Sequence, residues 1–174
     1  VLQQTNDAEL KDLRQKAFAY FSENGFPTPK NEEWKYTNIA PLLNSEFEFA
    51  GGQEWNYGID YNLLNQFNYQ RNGFTALHLA LANILFVRIP KDTVKENPIK
   101  FDFCIHGGLA IAPHVIFIAE AGSKATIIEN YESDARSFTN SAIQIFLEDN
   151  ANVTHYRIQK ESPEAFHIGT TEVK

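Results

Sequence analysis

Two copies of one pattern, 28 residues apart, decide the fold: residues 115–129, VIFIAEAGSKATIIE, and residues 143–157, IQIFLEDNANVTHYR. Each copy reads as a strand, a polar turn and a second strand. Gly122 in the first turn falls on Asn150 in the second, and both residue types tolerate a positive φ. Short strands, tight turns and a fixed period predict a solenoid of stacked β-coils.

An antiparallel sandwich is the competing interpretation, because its hairpins look locally alike. The same offset aligns Glu120 with Glu148, and a strand at residues 85–89 lies about one period upstream. Pro90 and Pro98 make the match of this upstream strand to the pattern less exact. The pattern alone therefore leaves both architectures open.

The N-terminal segment has the features of a capped helix. Asn6 can act as the N-cap, with Glu9 completing a capping box, and Gly25 suits a left-handed C-cap. Apolar residues at helical spacing give one buried face. These are Leu10, Leu13, Ala17, Phe18 and Phe21.

Short elements are expected between this helix and the strands. Residues 27–37 form a proline-stiffened connector, in which Trp34 and Tyr36 are expected to anchor the segment to a core. Further expected elements are a helical turn at 39–43, a loop at Gly51-Gly52, a short helix near 60–67 and a helix at 73–82. We divide the chain into an N-terminal helical region, residues 1–84, and β-coils, residues 85–174.

Composition narrows the function classes. The formal net charge of −7 argues against a nucleic-acid partner, because phosphate binding needs a concentrated basic face. No stretch approaches the roughly 18 to 20 apolar residues that cross a bilayer. The single cysteine, Cys104, excludes an internal disulfide and fits a reducing compartment. We expect a cytoplasmic protein with neither a nucleic-acid nor a membrane partner.

Six segments of the chain form an ordered series: residues 25–37 (GFPTPKNEEWKYT), 73–78, 89–91, 120–129, 150–159 and 165–171. In this order they resemble the SufBD family of iron–sulfur cluster assembly proteins. The segment 25–37 resembles the leader motif of the SufD branch of that family rather than of its SufB branch.

The resemblance implies a fold and a role. The fold would be mainly β, an N-terminal α-helical region followed by a right-handed parallel β-helix that is incomplete at its C-terminal end. The role would be that of a non-catalytic scaffold subunit in the SUF machinery, which pairs with SufB and with the SufC ATPase, an ABC-type ATPase, to build and transfer clusters. No cofactor is expected on this segment, since the iron–sulfur cluster belongs to the complex. The alternative is a carbohydrate-active or carbohydrate-binding β-helix.

The chain also departs from the family pattern. Family members are more than twice as long, a family strand expected between Asn56 and Gly73 has no match, and methionine is absent even at position 1. We expect the sequence to be part of a longer gene product, with stretches missing inside it. An open terminal coil would expose an unpaired strand edge, so we also expect self-association.

Cys104 and His106 form the one Cys-x-His pair. As neighbours on one strand face they could bind a soft metal. Two ligands are too few for a tetrahedral zinc or iron–sulfur site, and cysteine is often buried as a small hydrophobe. We expect a structural Cys104; if it binds metal instead, Cys104→Ser should lower bound iron.

The spacing of residues in the sequence reveals no partner for the remaining histidines. His155 and His167 lie twelve residues apart, and a catalytic histidine needs a positioned nucleophile or carboxylate. We expect both to hydrogen-bond at coil corners. His78 in the Ala/Leu-rich helix and His114 after Pro113 have no evident companion.

Other catalytic signatures are missing from the sequence. It contains no dinucleotide fingerprint, no P-loop and no nucleophile elbow. Several acidic residues are expected on a solvated surface: Glu32, Glu33, Glu46, Glu48 and Glu54. For glycoside chemistry, which needs paired carboxylates, residues 141–161 offer Glu148, Asp149 and Glu161. No catalytic, cofactor or metal residue is assigned.

Overall fold

The computed structural model describes residues 2–50 and 60–174, with side chains from Ala8 onward. The helices are α1 (Leu2–Asn24), α2 (Ala40–Leu43), α3 (Tyr61–Leu64) and α4 (Gly73–Leu81), with 3-10 turns at Glu32–Trp34 and Tyr69–Arg71. The strands are β1 (Glu48–Phe49), β2 (Asn83–Ile89), β3 (Ile99–Ile105), β4 (Leu109–Ile111), β5 (Pro113–Ala119), β6 (Lys124–Ser133), β7 (Phe138–Leu147), β8 (Asn152–Lys160) and β9 (Phe166–Val173).

Strands pair in parallel throughout the described part of the chain. Register partners lie 28 residues apart in the pairs β3–β6, β6–β8, β5–β7 and β7–β9. Between β2 and β5 the offset is 30, as in the pairing of Asn83 with Pro113. The 28-residue period is therefore confirmed, and the antiparallel sandwich is wrong. The chain is a mainly parallel β-solenoid of about three coils behind a short helical region.

The coils stack because their turns repeat the same backbone geometry. Asp92, Gly122 and Asn150 occupy equivalent turn positions and all have positive φ, at 57°, 71° and 60°. Each turn is bonded to the next: the Asp92 amide donates to the Ala121 carbonyl, and the Gly122 amide donates to the Asp149 carbonyl, both at 2.9 Å. The match between Gly122 and Asn150 predicted from sequence is confirmed.

The aligned glutamates add a second ladder along these turns. The Lys91 amide donates to Glu120 Oε2 at 2.9 Å, and the Ala121 amide donates to Glu148 Oε2 at 3.0 Å. Each carboxylate thus satisfies a backbone donor of the preceding coil, which would otherwise lack a partner in the turn.

Two sheets enclose the solenoid interior. Sheet A contains β2, β5, β7 and β9 with the short β1 and β4, and sheet B contains β3, β6 and β8. An apolar core fills the space between them in the earlier coils, where Phe117 and Ile143 of sheet A pack with Ile127 of sheet B. Both faces of β5 and β7 are buried, which is typical of parallel strands covered by helices.

Helix α1 covers the outer face of sheet A. Leu10, Leu13 and Ala17 pack with Leu79 of α4 and Ile116 of β5. Phe18 was expected on the same buried face, but 55% of it is exposed. The helix therefore buries a narrower stripe than its apolar residues suggest.

An aromatic cluster joins the connector to the solenoid. Trp34 packs on Phe74 of α4 with ring centroids 4.9 Å apart, and Phe74 contacts Phe138 of β7. The anchoring role of Trp34 is confirmed. For Tyr36 it is wrong, because that side chain is 92% exposed.

Most short elements agree with the sequence. The helical turns at 39–43 and 60–67 and the helix at 73–82 are confirmed, and Gly25 has the positive φ (64°) of a C-cap. Helix α1 begins at Leu2 and not after Asn6, and the Asn6 side chain lies outside the described part. The loop expected at Gly51-Gly52 also lies outside the described residues.

Candidate functional site

The solenoid interior changes from apolar to polar along its axis. Inward-facing residues of sheet B form three columns of register partners: Ile99, Ile127 and His155; Phe101, Glu129 and Arg157; Phe103, Tyr131 and Gln159. In these three columns the residues from β3 are apolar, those from β6 are mixed and those from β8 are polar, while a fourth pair, Ala125 and Val153, stays apolar. Because isolated buried charges are costly, this polar interior is the strongest candidate site among the described residues.

Glu129 is the centre of the site. Its side chain is fully buried, and its two oxygens accept four hydrogen bonds. Tyr131 Oη donates to Oε1 at 2.8 Å, His155 Nε2 to Oε2 at 2.7 Å, and Arg157 Nη2 and Nε to Oε2 at 3.1 and 3.3 Å. Burial raises the pKa of the Glu129 carboxyl, but these donors outweigh it and leave that pKa below its usual value.

Arg157 reaches across the interior from β8 to β9. Its Nη2 also donates to Thr171 Oγ1 at 3.3 Å. A Cβ at position 169 would collide with Arg157 Nη1, so Gly169 leaves the space that the guanidinium occupies. Arg157 therefore joins the two sheets as well as neutralising Glu129.

A second ion pair lies beside the first. Glu161 Oε2 is 2.8 Å from His167 Nδ1, while Thr139 Oγ1 donates to Glu161 Oε1 at 2.9 Å. His167 Nε2 is 3.2 Å from Ser141 Oγ, and the His167 ring meets the Tyr131 ring edge-on at 4.6 Å. Burial raises the pKa of the Glu161 carboxyl, but the hydrogen bonds, led by that from His167, lower it overall.

Ser141, His167 and Glu161 have the connectivity of a catalytic triad. A triad serine must also reach a substrate and face an oxyanion site. Ser141 is 1% exposed and lies on the inner face of β7. The arrangement can therefore hold and move protons inside the solenoid, but it offers no open nucleophile.

The expectation for His155 and His167 is partly wrong. Both have a carboxylate partner, Glu129 and Glu161, and both lie within strands rather than at coil corners. Sequence reasoning missed Glu129 and Arg157, although the 28-residue period could have found them: their spacing equals one coil, which places register partners side by side on the same face.

His78 and His114 were expected to have no companion, which is also wrong. His78 Nε2 lies 2.9 Å from His114 Nδ1, and both rings are buried. Burial lowers the pKa of His78 to about 4 and that of His114 to about 3, so both rings are neutral. The outer ring nitrogens contact the Asn140 carbonyl and the side-chain amide of Gln144. This pair is a hydrogen-bonded link between α4 and sheet A.

Cys104 lies on the outer face of sheet B, and His106 follows the end of β3, so the two do not share a strand face as expected. Cys104 is exposed, so its expected burial is wrong. It shares a surface cavity of about 330 Å³ with His106, Glu132 and Asp134. His106 Nδ1 is 3.0 Å from Asp134 Oδ2, and this hydrogen bond lowers the pKa of Asp134. Within the described residues, no three His, Cys, Asp or Glu side chains are grouped to hold a metal ion.

The other acidic residues considered from the sequence are exposed or lie far from one another. Glu32, Glu33, Glu46 and Glu48 are exposed, as expected, and Glu54 lies outside the described part. The carboxylates considered for glycoside chemistry do not lie together. Glu148 precedes β8 and Glu161 follows it, so the nine-residue strand separates the two by about 30 Å. In the described residues, no helix has the length and apolar character that a membrane span requires.

Two family models match the chain in order. Residues 1–67 match the SufBD protein N-terminal region, and residues 103–174 match the SufBD core domain of SUF-system FeS cluster assembly. Together the two matches take in most of the chain. No solved structure matches significantly.

Curated relatives agree with this result. An iron–sulfur cluster assembly SufBD family protein of Synechocystis is 24% identical over 233 residues, covering 97% of this chain and 51% of the relative. The SufD protein of Escherichia coli is 25% identical over 197 residues (86% of this chain, 46% of the relative), and that of Bacillus subtilis 34% over 87 (47% and 20%). The chain thus spans about half, or less, of the length of these relatives.

Both matches fall where the structure has its two parts, the helical region and the stacked coils. The resemblance drawn from the sequence motifs is therefore confirmed at the level of the family. The chain belongs to the SufBD family of iron–sulfur cluster assembly proteins.

Proposed function

We propose that this chain is the N-terminal part of a SufD-type subunit that acts as a non-catalytic scaffold in the SUF machinery. Its partners would be a SufB-type subunit and the SufC ATPase, and its compartment the cytoplasm. The observation that carries the proposal is the ordered match of both SufBD models to one helix-plus-solenoid chain. Two of the curated relatives are themselves named SufD, which supports the SufD branch.

The chemistry of the interior supports a scaffold over an enzyme. Glu129, His155, Glu161 and His167 are engaged with one another or with neighbouring strands, and Ser141 is covered. These 174 residues contain no P-loop, and we assign ATP hydrolysis to the SufC partner. An iron–sulfur cluster would be cargo of the assembled complex rather than a cofactor of this segment.

Co-expression tests this proposal. The full-length protein containing this chain, tagged, would be produced together with SufB and SufC of the same organism. We expect both to co-purify in a stable complex, and an untagged copy serves as the control for non-specific retention. A full-length protein that retains neither SufB nor SufC would overturn the proposal.

The triad-like group gives the enzymatic alternative a direct test. A fluorophosphonate probe labels activated serines, and we expect no labelling of the folded protein because Ser141 is covered. Labelling that disappears in Ser141→Ala would replace the scaffold by a hydrolase.

A further inference from the structure

Buried polar side chains join the helical region to the outer face of sheet A. We call α1, α4 and residues 60–71 the helical cover. Asn140 Nδ2 donates to the Phe74 carbonyl at 2.9 Å, and His78 Nδ1 lies 2.6 Å from the Asn140 carbonyl. His78, His114 and Asn140 are each at most 4% exposed, so these contacts are closed to water. The cover is therefore held by buried hydrogen bonds as well as by apolar packing.

The contact between the two histidine rings limits how many protons the closed structure can hold. The Asn140 carbonyl only accepts, so His78 Nδ1 carries a hydrogen. The other nitrogen of that ring, Nε2, is 2.9 Å from His114 Nδ1, and this contact needs a hydrogen on one nitrogen and a lone pair on the other. Two imidazolium rings would place hydrogens on both facing nitrogens. The geometry of the closed pair therefore excludes double protonation.

The surroundings of the pair also disfavour the first proton. Within the described residues, the rings are hydrogen-bonded to each other, to the Asn140 carbonyl and to the Gln144 amide, and none of these partners is a carboxylate. The Phe67 ring lies edge-on to both, with its centroid 5.6 Å from that of His78 and 4.9 Å from that of His114. An uncompensated buried charge is costly, in agreement with the lowered pKa values of both rings.

Charged and titratable groups also lie on the elements packed around the pair. In the described part of the chain they are Arg14 of α1, Tyr61 of α3, Tyr69 of the second 3-10 turn, and Glu172 and Lys174 of β9. The Glu172 carboxylate is one side chain away from His114, since its Oε2 is 3.5 Å from the Gln144 amide. Lys174 Nζ is 3.4 Å from the same oxygen. Glu172 is thus already paired and is not a counterion for the histidines.

The solenoid interior does not depend on the cover. The core between the two sheets is built from strand residues such as Phe117, Ile127 and Ile143, and no residue of the cover belongs to it. The apolar contacts of α1 and α4 fall instead on the opposite face of sheet A, on Ile116 and Ala142. Separation at the histidine pair would therefore uncover that outer face while the strands stay paired.

We propose that acid releases the helical cover from sheet A while the solenoid stays folded, and that the contact between His78 and His114 is the switch. Once the rings are in water, each titrates near its usual pKa of about 6.5. The open state then binds up to two protons more than the closed state. The equilibrium constant for opening therefore rises as the pH falls below 6.5, by up to about a hundredfold per pH unit for two protons.

Native-state hydrogen exchange followed by mass spectrometry tests this order of events. On the full-length protein containing this chain, the ratio of the observed to the intrinsic exchange rate gives the opening constant at each pH. We expect peptides from α4 to open about tenfold or more readily than peptides from β6, with an opening constant that rises from pH 6.5 to 5. Equal opening constants for α4 and β6 across this range would overturn the proposal, because the whole chain would then unfold as one unit.

Substitution of the histidines tests the switch itself. In a double variant, His78→Gln with His114→Gln, the opening constant of α4 should no longer change between pH 6.5 and 5, because glutamine does not titrate. His106→Gln should follow the parent, since the His106 side chain is 81% exposed and lies outside the pair. An acid dependence retained in the double variant would overturn the proposal. If the double variant does not fold, His114→Gln alone should reduce the slope to at most about tenfold per pH unit, and an unchanged slope would contradict the switch.

Discussion

Replacing Glu129 by glutamine should destabilise the protein far more than the same change at Glu132. Both residues lie on β6 but face opposite sides of sheet B. Glu129 is buried and accepts from Tyr131, His155 and Arg157, whereas the Glu132 side chain is 50% exposed and lies 3.6 Å from Lys160. In Glu129→Gln the new amide hydrogens would face existing donors, and the Arg157 charge would lose its partner.

The expected size of the effect follows from burial. Breaking a buried ion pair by removing one partner costs about 3–5 kcal/mol. Since the Arg157 side chain remains 22% exposed, we expect the lower end, about 3 kcal/mol. An exposed pair such as Glu132 with Lys160 contributes roughly 0–1 kcal/mol.

The assay is urea unfolding followed by circular dichroism, with linear extrapolation to water. The parent, Glu129→Gln and Glu132→Gln would be compared at pH 7. Two variants within 1 kcal/mol of each other would show that Glu129 is not held as the structure describes.

Three further outcomes are expected. The free energy of unfolding should fall as the pH drops below 6.5. His78 and His114 have lowered pKa values in the folded protein, so the unfolded state binds protons at a higher pH than the folded state does. An unfolding free energy that stays constant between pH 6.5 and 4.5 would contradict this. Gly122→Val should lower the free energy of unfolding by about 1 kcal/mol or more, because Gly122 has a positive φ and a side chain there would collide with Asp92. Asn150→Gly should change stability little. The thermal midpoints of the two variants check both expectations. In a fragment limited to residues 1–174, β8 and β9 each have one unpaired edge. Light scattering of that fragment should show self-association, and a clean monomer at high concentration would contradict this.

The coils could be predicted from the sequence because each one repeats the same local requirements. A positive-φ residue, a glutamate that caps the preceding turn and alternating apolar residues recur every 28 positions. Gly122 and Asn150 show this directly, since the same turn geometry selects both. The period is compatible with parallel pairing, but the pattern alone did not separate a parallel solenoid from an antiparallel sandwich.

The interior site could not be predicted in the same way, because it depends on register. His155 and Glu129 are 26 residues apart and meet as diagonal neighbours on adjacent coils. That contact becomes visible only once the 28-residue pairing is applied to the polar positions. Glu161 lies in a loop, where no period places it.

Exposure of Cys104 shows a different limit. Sheet A is covered by α1 and α4, while the outer face of sheet B carries no helix in the described part of the chain. The alternation in β3 and the continuous burial of β5 distinguish the uncovered face from the covered one, but the prediction for Cys104 did not use this contrast. Cys104 happens to lie on the uncovered one.

The stacking of coils in a 28-residue register underlies both the fold and the site, and disulfide trapping measures it most directly. Thr126 and Thr154 are register partners on adjacent strands, so their Cα atoms are about 4.8 Å apart, within disulfide range. In a Cys104→Ser background, Thr126→Cys with Thr154→Cys should cross-link on mild oxidation. Thr126→Cys with Tyr156→Cys, at about 8 Å, should not. Cross-linking of the second pair in place of the first would contradict the register.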